Sequence, residues 1–453
     1  MARRNIFVIG LDEWNLQKLR SVRNAEQYAF HSLLDYEDVI KPENYPFDQM
    51  LEKARRQLQK FQAGGSSIDG LIVHWDFPVT EMGAILCEEF GLRFPSLESV
   101  VKCGHKYWSR VEQHDVIREY IPRFQAVNPL SENALDIGLD YPFWIKPVKS
   151  FASHLGFQIR HAEDLNYAMP IIRENIRRLG DPYNEVLRHL DLPEDVRHVD
   201  GNWCVAEEII SAGKQIGIEG WIHDGEIGYH GVIDSIRIGT SSSFNRYQYP
   251  STIPKHAQEK MFGLTEKLVK HMGLNHSAFN IEYFWHEETN EIAMLEINPR
   301  ISQSHSDLFE KVDGVSNHQV PLDLALGRRP DMPKGEGEFK VAAKFMLRRF
   351  GPDARITRAP TPAEVQQIED DYPGTHIFLA VEEGMHLSEL RDQDSYSYEL
   401  AVLLLGADSE AELERKYDLC VEALPFAFEE VSQAPPEERP AVVEAEQHGG
   451  THP

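Results

Sequence analysis

The stretch Phe279–Arg300, FNIEYFWHEETNEIAMLEINPR, decides how the chain is read. Asn280 to Trp285 alternates apolar and polar residues, as a strand does, and Ile292 to Asn298 alternates again. Glu287-Glu288-Thr289-Asn290 between them reads as the turn of a hairpin. Strand side chains repeat with period two, so Glu296, Asn298 and Arg300 share one face, and Glu282 joins them across the pair. Two carboxylates and an amide oxygen are hard ligands of the kind Mg²⁺ takes alongside substrate phosphates. Arg300 can hold a phosphate or carboxylate bidentately. Met294, Leu295 and Ile297 surround the polar pair, which places it in a cleft wall rather than on a solvated face. Pro299 stops the ladder just before Arg300.

The run LEINPR, preceded by a strand carrying Glu282, resembles the metal-binding signature of the ATP-grasp superfamily. Its continuation, NPRISQSHSDLFEKVDG, is most similar to the carbamoyl phosphate synthetase form. The resemblance implies that Glu282, Glu296 and Asn298 hold Mg²⁺, with Mn²⁺ as an alternative. It further implies that Arg300 contacts phosphate or an acyl-phosphate intermediate. The fold it implies is α/β and α+β multidomain. An N-terminal parallel α/β (pre-ATP-grasp) domain covers residues 1–100, and a two-lobed ATP-grasp domain covers 101–330. A C-terminal α+β lobe follows at 339–430, and a tail rich in Pro, Glu and Gly, expected to be disordered, at 433–453.

Composition agrees with a chain of this kind. The 453 residues suffice for two or three domains, and 42% hydrophobic with 26% charged residues is ordinary for a globular protein. The net charge of −27 argues against nucleic acid and against anionic membrane surfaces as partners. No apolar run approaches the length of a membrane span, and MARRNIFVIG passes straight into a strand-like run without the apolar core of a secretory signal. Cys87, Cys103, Cys204 and Cys420 lack metal or redox spacing. A cytoplasmic protein with reduced thiols is expected.

Along the chain, strands at 5–10 and 70–74 alternate with helices at 47–61 and 80–90, the pattern of a parallel sheet. Gly10 alone follows the first strand. Without G-x-G-x-x-G, a dinucleotide site is not expected. A helix at 106–120, a strand at 141–148 and a helix at 163–179 come next. Residues 180–201, with Asp181-Pro182 and Leu192-Pro193, read as an insertion or mobile loop. Strands recur at 203–210, 215–223 and 226–234, the last two joined by His223-Asp224-Gly225-Glu226 as a tight hairpin. A helix at 257–272 leads into the signature hairpin. Residues 328–338 read as a linker. Beyond it come strands at 339–347 and 375–381 and helices at 362–370 and 411–422.

Lys106 opens a helix and Lys146 ends a strand. Both sit where ATP-grasp proteins place phosphate-binding lysines, which act as point charges. The loop 149–156 stands where that family has a glycine-rich lid. Here it has one glycine, with Ser150 and Ser153 as hydroxyl donors. The resemblance further implies a hinge strand at Val205–Ile210, with backbone contacts to adenine near Glu208 and Ile210 and the Glu207 carboxylate close to the base. It places Gln215 at the ribose. Acceptor-side candidates are Glu219, Arg237, Arg246 and Ser302 to His305. Gln303 replaces an arginine of the carbamoyl phosphate synthetase pattern, which weakens a bicarbonate reading. His154 and His305 lie near the presumed site and are read as structural or surface groups.

The expected chemistry is an ATP- and Mg²⁺-dependent ligation. Lys146 and Arg300 assist attack of a carboxylate on the γ-phosphate, and an amine then displaces phosphate. The substrates would be amino acids or small metabolites, and a homodimer is an open alternative. Two other readings compete: a biotin-carboxylase-like enzyme that activates bicarbonate, and a non-catalytic ATP-binding module that regulates a partner.

Overall fold

The computed structural model describes residues 3–40, 45–150, 154–210, 213–239, 243–390 and 397–430. The expected tail at 433–453 lies outside them.

Near the N-terminus, strands Arg4–Ile9, Tyr28–Leu33 and Gly70–Ile72 form a parallel sheet with Arg4–Ile9 in the centre. Helix Phe47–Ala63 buries Phe47, Met50, Leu51, Ala54 and Leu58, the i, i+3, i+4 spacing that gives one apolar face. That face joins Phe7, Leu71, Val79 and Leu86 in a single core. The strand Tyr28–Leu33 and the helix Glu13–Arg20 escaped the sequence reading. The helix is mostly polar and held by an Asp12 cap whose side chain accepts from the Asn15 N–H.

The largest sheet has eight strands, all antiparallel. In spatial order they are Ile292–Asn298, Ser277–Trp285, Lys214–His223, Glu226–Arg237, Phe244–Tyr249, Val341–Phe350, Ser397–Ala407 and Thr375–Leu379. The pairing of Arg246 with Phe345 carries this sheet across the expected linker at 328–338. Three strands of the C-terminal lobe, Val341–Phe350, Ser397–Ala407 and Thr375–Leu379, therefore extend the central sheet, while Ala354–Arg358 and Ala427–Glu430 pair with each other in a small sheet of their own. The Asp224-Gly225 turn has both residues at positive φ, 49° and 79°, as a tight hairpin turn requires. A four-stranded antiparallel sheet, Phe124–Val127, Cys204–Glu208, Phe143–Pro147 and Phe157–Ile159, forms the other lobe.

The segment 180–201 departs from the expected loop at its start. Residues Arg177–Leu187 are helical, with Pro182 inside. Leu179, Tyr183, Val186 and Leu187 are buried in the N-terminal core. Apolar burial against another domain outweighs the local signal of Asp-Pro, which sequence reading takes as a turn.

Candidate active site

A cavity of about 1110 Å³ opens between the two antiparallel sheets and the C-terminal ends of the parallel strands. Lys106, Lys146, Glu207, Glu208, Ile210, Gln215, Glu282, Glu296, Asn298 and Arg300 all line it. Ser153 lies outside the described residues.

The hairpin builds one wall. Glu282 pairs directly with Glu296, and Asn280 with Asn298. Immediately after Glu282 the register shifts, since Tyr283 pairs with Met294 and Leu295 is the extra residue of a bulge. The Leu295 and Met294 carbonyls accept instead from Arg110, at 2.8 and 3.1 Å. Burial and the facing Glu296 charge raise Glu282 to about 7. The Gln215 amide donates to Glu282 at 2.6 Å. Asn298 sits 3.4 Å from Glu296, and Arg300 lies 3.5 Å from the Asn298 oxygen. Two carboxylates in register, with no Lys or Arg side chain hydrogen-bonded to either among the described residues, form a donor set that fits a small hard dication.

The opposite wall is basic. Lys106 heads the helix Lys106–Ile117 and donates to the Ser150 carbonyl at 2.7 Å. Burial lowers Lys106 to about 8, against the pull of Glu296. Lys146 forms an ion pair with Glu207 at 2.6 Å, and Arg110 grips the other oxygen of Glu207 at 2.7 Å. Burial would raise Glu207, but these two cations take it to about 2. Lys149 contacts Asp76 at 2.9 Å and Glu81 at 3.2 Å, both contributed by the N-terminal domain. Asp76 also accepts from Arg300 at 2.9 Å. Lys149 and Arg300 hold Asp76 well below the carboxylate range, despite a burial effect of opposite sign.

Several expected positions take more specific form. Glu207 is committed to Arg110 and Lys146. Glu208 accepts from Arg123 through both oxygens, and its own N–H donates to the Arg123 carbonyl. Gln215 bridges Glu282 to Arg237, whose guanidinium donates to the Gln215 oxygen. Three acceptor-side candidates, Glu219, Arg246 and His305, do not line the cavity. Glu219 is fully buried and accepts from His305, His230, Asn317 and the Ser302 N–H. Loop 301–305 folds over it. Arg246 instead holds Gln248, Glu410 and Glu414. A register shift between Phe244 and Arg246 turns it away from the cavity. His305 is buried on Glu219, whereas His154, Arg237 and Ser302 to Ser304 do line the cavity.

The sequence reading missed Arg110, Asp76, Asn280 and the ionic role of Lys149. Arg110 left a signal, because it falls four residues after Lys106 on the same helix face. Asp76 left none, since only tertiary packing brings it to Arg300, 224 residues away.

Residues 139–306 match the family model of the ATP-grasp domain. The structure is similar to that of an L-amino acid ligase from Bacillus licheniformis, with a TM-score of 0.66 and 16% identity over 95% of this chain and 100% of that one. It is also similar to N5-carboxyaminoimidazole synthase from Aspergillus clavatus, solved with ADP and 5-aminoimidazole ribonucleotide (TM-score 0.61, 15% identity, 93% and 98% covered). Biotin carboxylase from Campylobacter jejuni, solved as a β-γ-ATP complex, matches with a TM-score of 0.59 and 13% identity over 93% and 92%. Over more than nine-tenths of the chain the fold is thus shared with these structures.

Proposed function

We propose that this chain, which carries an ATP-grasp domain over residues 139–306, is an ATP- and Mg²⁺-dependent ligase joining a carboxylate to an amine. An amino acid or another small metabolite would supply each. The observation that carries the reading is one cavity with two walls of opposite charge. Glu282, Glu296 and Asn298 form one, and Lys106 and Lys146 head the other. That arrangement suits a polyphosphate with its cation.

Glu282, Glu296 and Asn298 would hold Mg²⁺, which supplies neutralisation of phosphate charge and orientation of the outer phosphates. Lys106 and Lys146 place cationic charge on the phosphates from the facing wall. Arg300, fixed by Asp76, directs its guanidinium at the transferring group. A substrate carboxylate oxygen attacks the γ-phosphorus, the bond to the β–γ bridging oxygen breaks, and ADP leaves. The amine nitrogen then attacks the acyl carbon, and the C–O bond breaks as the amine gives up a proton. Phosphate departs with the oxygen that came from the carboxylate. Positioning and electrostatics carry the rate.

The test is incubation with ATP, Mg²⁺ and pooled amino acids, followed by separation of the nucleotides. ADP release that depends on an added amine, with ¹⁸O passing from labelled carboxylate to phosphate, supports the ligase. AMP with pyrophosphate overturns the acyl-phosphate route. Release stimulated by bicarbonate alone assigns the biotin-carboxylase-like reading. No turnover with any pool, alongside tight ATP binding, assigns the regulatory one.

A further inference from the structure

A second cluster of ligating side chains lies at the far end of the strands that carry the acidic wall. Strands Lys214–His223 and Ser277–Trp285 pair with Ser277 opposite Ile222. His223 ends one strand and His276 immediately precedes the other, and their rings meet at the sheet's end with centroids 5.3 Å apart. Their Nδ1 atoms are 3.3 Å apart. Asp224, on the hairpin turn, sets one oxygen 3.6 Å from Nε2 of His223 and the other 3.6 Å from Nε2 of His276. The Nδ1–Nδ1 contact is within hydrogen-bond reach, whereas the two Asp224 separations are too long for hydrogen bonds.

We infer that His223, Asp224 and His276 form a site for a borderline divalent metal ion, Zn²⁺ in the first instance, separate from the Mg²⁺ wall of the active site. Two imidazoles and one carboxylate make the donor set that suits Zn²⁺, whereas Mg²⁺ favours all-oxygen ligands. Bond lengths of about 2.0–2.1 Å in a tetrahedron put two nitrogen ligands about 3.3–3.4 Å apart, the spacing of the two Nδ1 atoms. One ligand atom from each of the three residues falls within 4.8 Å of the others. The carboxylate must still be drawn in from that separation to join the two nitrogens at tetrahedral spacing. Asp224 can move, because its side chain is 74% exposed while His223 and His276 are 12% and 23% exposed.

The backbone supports this arrangement. His276 has φ +51°, a left-handed conformation uncommon for any residue but glycine. That conformation sits at the residue whose ring must turn toward His223. Three protein ligands leave one tetrahedral position for solvent at an exposed turn. His276 and Glu282 are six residues apart on one strand, roughly 20 Å, so an ion here would brace the strand's start without touching the cleft.

The test uses the full chain, stripped of metal by chelator and titrated with Zn²⁺ by calorimetry in excess Mg²⁺. The wild type should bind one more equivalent of Zn²⁺ than His276→Asn, a variant that keeps a residue tolerant of positive φ. In Asp224→Asn that equivalent should bind about tenfold more weakly or worse. Zn²⁺ should raise the melting temperature of the wild type more than that of either variant. Asp224 is exposed on a turn that asparagine also fits, so this second variant keeps the test decisive even where His276→Asn disturbs folding. Equal stoichiometry and affinity in wild type and Asp224→Asn, or displacement of the bound Zn²⁺ by Mg²⁺, would overturn the site.

Discussion

The two walls of the active-site cavity handle charge in opposite ways. On the basic wall, Lys146 and Lys149 each meet a carboxylate: Lys146 meets Glu207, and Lys149 meets Asp76 and Glu81. On the acidic wall, Glu282 faces Glu296 across the hairpin, and an amide is its closest donor. One wall is compensated within the protein, while the other needs a cation from outside. The acidic wall should therefore govern turnover, and the basic wall should govern affinity and integrity.

The largest effect should come from the acidic wall. Glu296→Gln keeps the shape of the strand and removes one anionic ligand. Phosphate release should fall by about a thousandfold, the scale of a lost electrostatic contact in a water-excluded site, while circular dichroism stays unchanged. Near-normal turnover in a folded Glu296→Gln protein would break the contrast.

Compensated carboxylates should instead show their weight in stability. Glu219 satisfies four donors and is fully buried. Replacing it with leucine strands those donors and should cost about 3 kcal/mol, read by urea denaturation. The two histidines hold Glu219 at about 2, against the effect of burial, and Glu207 is held at about 2 by Arg110 and Lys146. Both folded values lie below the ordinary 4.5. Their stabilisation is therefore complete above about pH 4.5 and is lost as pH falls through about 2. Acid unfolding of Glu207→Gln should lose part of that slope, and an identical acid limb in the variant would sink the assignment.

Lys146→Ala should raise the ATP dissociation constant by about tenfold, or about 1.4 kcal/mol. Glu207 retains Arg110 in that variant, so the fold should hold. Unchanged affinity by calorimetry would remove Lys146 from the nucleotide site.

The smallest effect belongs to the rim. Arg123 is 60% exposed where it pairs with Glu208, and water screens such a pair. Arg123→Ala should leave the melting temperature where it was. A measurable drop would show that the basic wall's compensation reaches further out than the buried Arg110–Glu207 pair.

The sequence by itself determined what short-range periodicity can encode. The alternation in Asn280–Trp285 and Ile292–Asn298 placed both strands, and it put Glu282, Glu296, Asn298 and Arg300 on one surface. Asp-Gly at 224–225 fixed a hairpin, because only a few residues tolerate positive φ. The parallel sheet followed from strands alternating with helices. Tertiary structure alone decided the partners. Asp76 reaches Lys149 and Arg300 from another domain, Arg110 takes the carbonyls freed by a one-residue bulge, and Glu219 disappears under loop 301–305. It also turned 177–187 into a helix where Asp-Pro suggests a loop. The reason is common to all of these. Period and turn chemistry act within a few residues, whereas ion pairing and burial are set by groups distant in sequence that approach only once the sheets have packed.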